Sequence, residues 1–148
     1  MGAHPYYYFV AHNADVKVAL EALRQREFKA GRYHPAIRRL RFPLDAKSPS
    51  PGPRHPSIEK AREAAQEEGT RSILDLDRIA ATPDFCAASP LPGRDLSRLF
   101  GTDQPTRTQV EAKMDELLDQ IPRGEGIYLV TYKDGAPDEI FFAGYSFD

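Results

Sequence analysis

The stretch GIYLVTYKDGAPDEIFFAGYSFD, residues 126–148, decides the reading of the fold. Gly126–Lys133 and Asp138–Phe147 are two β-branched and aromatic runs flanking Asp134-Gly135, the strongest short-range hairpin signal. Ala136 and Pro137 leave room for a longer loop. In the second run Phe141, Ala143, Tyr145 and Phe147 alternate with Ile140, Phe142, Gly144 and Ser146. Bulky apolar groups fall on both faces, so the strand is expected to be central or covered on both sides.

Working outward, Val110, Met114, Leu117, Leu118 and Ile121 form one stripe at helical spacing. Thr106 or Thr108 caps this helix, and Pro122 and Gly124 end it. A short helix is expected from Asp95 to Phe100. The segment ATPDFCAASPLPG, residues 81–93, holds three prolines and reads as a loop. RSILDLDRI, residues 71–79, reads as a strand, with Leu74 and Leu76 on one face and Ile73, Asp75 and Asp77 on the other. Ser57 caps an alanine-rich helix from Ile58 to about Glu68, closed by Gly69. SPSPGPRHP, residues 48–56, has four prolines in nine positions and is a loop or polyproline-II segment.

At the front, Pro5–Val10 reads as a strand. Asn13 or Asp15 caps a helix over residues 14–29, and Gly31 suits the left-handed position past its end. AIRRLRFPL, residues 36–44, reads as a short edge strand or extended segment. The expected fold is one α+β domain over residues 1–148, with a mostly antiparallel sheet, a C-terminal β-hairpin and helices mainly on one face. The Pro-rich loop crosses this single domain, because the 47 residues before it are too few to fold comfortably alone.

Composition removes several classes. The chain has 148 residues, 41% hydrophobic and 28% charged, near the globular average. No run reaches the ~18 apolar residues of a membrane helix, and no secretory signal is visible. One cysteine, Cys86, excludes an internal disulfide framework and a cysteine-based zinc cluster. A cytoplasmic setting is therefore expected, with no membrane and no cofactor.

The charge is uneven. Residues 1–58 carry ten bases against four acids, +6; residues 59–100 carry −2; residues 101–148 carry four against ten, −6. Such asymmetry implies either a dipolar surface or two ends that fold together and pair. The sharpest feature is Arg24 to Arg41, with seven bases against Glu27 alone. Within it, Arg32, Tyr33, His34, Arg38, Arg39 and Arg41 are the candidate ligand- or partner-binding residues. Arginine forks grip phosphate or carboxylate, and an adjacent aromatic ring can stack. A solvated, charge-protected edge is the plainer alternative.

Asp75 and Asp77, on one strand face, are a candidate pair for Mg²⁺ or for proton transfer, with no third ligand in view. His4, His12, His34 and His55 show no metal-ligand spacing. No phosphate loop, dinucleotide fingerprint or nucleophile elbow is present. A binding role is thus expected over catalysis. The first reading is a protein-partner binding module; toxin-neutralising immunity proteins and antitoxins offer an analogy of size and composition only. The alternative is an enzyme or binder acting on a phosphate-bearing ligand such as a nucleotide through Arg24–Arg41. Plain nucleic-acid binding through the same segment is the third.

Overall fold

The computed structural model describes residues 4–147. The paired aromatic and β-branched runs at the two ends of the chain form the heart of the sheet. Strand β1 (Pro5–Ala11) pairs antiparallel with β5 (Ala136–Tyr145), which pairs antiparallel with β4 (Gly126–Lys133). Beyond β4 lie β3 (Ala87–Pro90) and β2 (Arg78–Ile79), both parallel to their neighbours. The order is β1-β5-β4-β3-β2. The α+β reading holds, but the sheet is mixed rather than mostly antiparallel. The cause is β3, which lies inside the segment read as a loop. Its connection to β4 runs through three helices, and such a crossover returns the chain parallel.

Helix α1 (Val16–Ala30) starts at Asp15, whose carboxylate accepts from the Lys17 N–H. It ends at Gly31, in the left-handed region at φ 76°. Helix α2 (Ile58–Ala65) is capped by Ser57. Helix α3 (Gly93–Phe100) ends at Gly101. The stripe-bearing helix is two pieces, α4 (Arg107–Ala112) and α5 (Met114–Asp119), broken at Lys113. A reciprocal Thr106–Gln109 capping box opens α4.

Helices cover both faces of the sheet, not mainly one. Tyr6, Tyr8, Ile140 and Phe142 pack with Leu20 and Leu23 of α1 and Ala61 of α2. Phe9, Leu129, Phe141 and Ala143 pack with Leu99 of α3, Val110 of α4 and Leu117 and Leu118 of α5. Strand β5 serves both cores, which is why consecutive residues Ile140, Phe141 and Phe142 put bulky apolar groups on both of its faces. Among the described residues no helix is long and apolar enough to cross a membrane.

The stretch read as a strand over 71–79 is mostly something else. Residues Ile73–Asp75 form a 3₁₀ turn, and only Arg78–Ile79 is strand. Arg71 has φ 54°, and the Ser72 hydroxyl caps the turn by accepting from the Leu74 N–H. Local side-chain to backbone bonds here outcompete sheet pairing. Residues 36–44 likewise form no strand. They run as a loop, with one cis peptide bond just before it, His34–Pro35, and one within it, Phe42–Pro43.

Candidate functional site

The basic segment divides at Tyr33. Its first half is consumed by the fold. Glu27 is fully buried and receives Arg32 at 2.5 Å and Arg26 at 2.8 Å. Arg32, 1% exposed, also donates to the Ser48 carbonyl at 2.9 Å and the Ser50 hydroxyl at 3.1 Å. Tyr33 is fully buried; its ring stacks on Phe28, and its hydroxyl meets His55 Nδ1 at 2.8 Å and accepts from the Arg54 N–H. The Gly52 N–H donates to the Ala30 carbonyl. A Cβ at Gly31 would lie 2.0 Å from the Gly52 carbonyl oxygen, so only glycine fits there. Residues 30–33 thus fasten the Pro-rich loop. Arg32 and Tyr33 are buried within the fold and do not line the cleft formed by the other candidate residues.

The second half is open. Arg38, Arg39 and Arg41 are exposed and form no hydrogen bond or ion pair among the described residues. They line a cleft of about 570 Å³. Its other cationic lining is Arg71, with His4 and His34; Pro5, Tyr7, Ile37, Leu40 and Phe42 supply apolar surface. At one end His34 Nε2 lies 2.7 Å from Glu68, and Arg71 lies 3.7 Å from the same carboxylate. The His34 N–H donates to the Thr70 carbonyl at 2.8 Å, which ties the basic loop to the turn that carries Arg71. The Tyr7 hydroxyl donates to the Phe42 carbonyl at 3.0 Å, and burial raises its pKa, so it stays a donor.

Asp75 and Asp77 sit in different surroundings. Asp75 is 1% exposed, and its Oδ1 accepts from the Thr70 N–H at 2.7 Å and the Thr70 hydroxyl at 2.8 Å. Burial pushes its pKa up to about 6 against these bonds. Asp77 is part-exposed and bridges Arg62 and Arg78. Neither lines the cleft. Among the described residues no group of three or more His, Cys, Asp or Glu gathers to hold a metal ion. His12 and His55 lie outside the cleft, and Cys86 is buried beside Arg62.

No ion pair joins residues 4–58 to residues 101–147 among those described. The acids of the C-terminal third pair instead with neighbours such as Arg107, which bridges Glu139 and Glu111.

Sequence reasoning found four of the cleft residues, His34, Arg38, Arg39 and Arg41. It missed Tyr7, Phe42 and Arg71. Arg71 carried no distinguishing signal, because the left-handed residue that turns the chain there is not a glycine. No known protein family, curated protein or solved structure matches the chain.

Proposed function

We propose that the protein is a binding module for an acidic protein partner, which docks on the cleft of Arg38, Arg39 and Arg41. One observation carries this reading. Every other arginine from 24 to 41 has an internal carboxylate, and these three have none among the described residues. Unpaired guanidiniums beside apolar surface suit a carboxylate-bearing partner with some hydrophobic contact. The field of such a cluster speeds encounter with an acidic surface. Catalysis has less support, because the acid-base candidate Asp75 is sealed in the interior and Asp77 is held in ion pairs.

A second reading rests on the cleft's volume. About 570 Å³ lies within the range of small-ligand sites. A nucleotide would place phosphate on the arginines and its base against Tyr7 or Phe42.

The test is titration with a labelled acidic peptide and, separately, a nucleoside triphosphate. Acidic-peptide binding that weakens with salt, and at least about tenfold in the triple variant Arg38→Ala, Arg39→Ala, Arg41→Ala, supports the partner reading. Tight nucleotide binding with no peptide binding replaces it by the second.

A further inference from the structure

The cleft is bounded on one side by Pro5 and Tyr7, and these belong to an edge strand. Register shows which way the backbone of β1 points. The Ser146 N–H donates to the His4 carbonyl, and the His12 N–H donates to the Asp138 carbonyl. These two bonds bracket β1 at even positions. Tyr6, Tyr8 and Val10 lie between them at the same parity, opposite Gly144, Phe142 and Ile140. In an antiparallel ladder, alternate residues exchange their bonds inward. Pro5, Tyr7, Phe9 and Ala11 therefore point their backbone groups away from β5. No hydrogen bond from another described residue reaches those groups.

Phe42 closes part of this edge. Its ring packs 5.3 Å from that of Tyr8 and 6.0 Å from that of Tyr7. The Pro5–Tyr7 end opens into the cleft. The basic loop runs beside that end without making backbone bonds to β1. A short unpaired edge and three unpaired guanidiniums thus share one cavity.

We infer that the acidic partner binds as an extended segment that adds a strand to the sheet at Pro5–Tyr7. The inference rests on the acidic-partner reading and specifies how that partner is held. The Tyr7 N–H donates to a carbonyl of the segment, and the Tyr7 and Pro5 carbonyls accept its N–H groups. Its acidic side chains meet Arg38, Arg39 and Arg41. Strand addition of this kind draws affinity from main-chain bonds and specificity from the side chains alongside. Charge selects the occupant. A second copy of this chain, pairing edge to edge, would set two arginine clusters against each other, which is how edge charges prevent self-pairing.

The probe is the labelled peptide acetyl-(Glu-Val)₄-amide, titrated into the full chain at low salt. Two analogues carry N-methyl groups on all Glu amides or on all Val amides. Each blocks one edge of an extended segment. Strand addition predicts at least a tenfold loss from one analogue and less than about a twofold change from the other. A second comparison sets Tyr7→Pro against Tyr7→Ala. Both lose the ring, but only proline removes the outward N–H, and proline is tolerated at an edge. With matching melting temperatures, Tyr7→Pro is expected to bind at least tenfold more weakly than Tyr7→Ala. If neither analogue changes affinity, strand addition is wrong and the acidic-partner reading survives. If the unmethylated peptide fails to bind, or a single-stranded oligonucleotide binds in its place, both are wrong.

Discussion

Arg32 and Arg38 stand six residues apart in the same basic run, and the fold puts them to opposite uses. Arg32 is locked against buried Glu27 and two serines of the Pro-rich loop. Arg38 is exposed beside a cleft and has no carboxylate partner among the described residues. The difference is set by where the chain can supply a counter-charge. Glu27 is the single acid between Arg24 and Arg41, and it is taken by the arginines nearest to it. Once it is used, Arg38, Arg39 and Arg41 meet no carboxylate among the described residues. The first half of the segment is therefore built into the fold, and the second half is the part proposed for recognition.

The largest effect that can break this comparison is loss of the buried pair. Glu27→Ala leaves the buried Arg32 guanidinium without a carboxylate and is expected to cost about 3–5 kcal/mol in chemical denaturation; Arg32→Ala, after which Glu27 keeps only the part-exposed Arg26, is expected to cost somewhat less, about 2–4 kcal/mol. A loss under about 1 kcal/mol would place Arg32 with the surface arginines after all.

Gly31→Ala probes the same anchor through the backbone. The new Cβ meets the Gly52 carbonyl, and φ 76° disfavours any L side chain. A loss of about 2 kcal/mol or more is expected, with the Pro-rich loop becoming more susceptible to protease. Gly52, with open space around its own Cβ position, supplies the contact but not the steric limit.

Asp75 sharpens the contrast between sealed and open polar groups. Its folded pKa of about 6 lies above the ordinary carboxyl value, so the native state binds its proton more tightly than the unfolded state does. This contribution to stability is fully present below about pH 4 and is lost as pH rises through 6. Its size is about 2 kcal/mol, from a shift of roughly two pH units at 1.4 kcal/mol each less some relaxation of the site. Denaturation of wild type and Asp75→Asn at pH 4 and pH 7 isolates it. The variant is expected to gain relative to wild type as pH rises. A pH-independent difference between the two proteins would show that the Asp75 pKa is not raised by folding.

The smallest effect on stability belongs to the cleft. Arg38→Ala, Arg39→Ala and Arg41→Ala are each expected to change stability by no more than about 0.5 kcal/mol, because nothing internal pairs with them.

Much of the fold was legible in the sequence, and the reasons differ by element. Caps and glycines at Asp15, Gly31, Ser57 and Thr106 are local signals, and each performs the role its chemistry suggests. The terminal strands announced themselves through unbroken apolar alternation. Strand β3 did not, because Ala87, Ala88 and Ser89 are small and prolines surround them. The 71–79 segment misled because alternation of Leu and Asp imitates a strand. Asp75 in fact turns inward to bind Thr70. The site was half legible. The arginine cluster was visible, but nothing local separates a paired arginine from an unpaired one. That distinction depends on Glu27 and the Ser48–Ser50 pair arriving from two places in the chain, helix α1 and the Pro-rich loop.

The most direct test measures stability and acidic-peptide affinity together in two variants, Arg32→Ala and the triple Arg38→Ala, Arg39→Ala, Arg41→Ala. The division of the basic segment predicts that the first loses stability and, where still folded, keeps its affinity. It predicts that the triple variant keeps its stability and binds at least tenfold more weakly at low salt. A triple variant that binds the peptide as tightly as wild type would contradict the assignment of the cleft as the recognition surface.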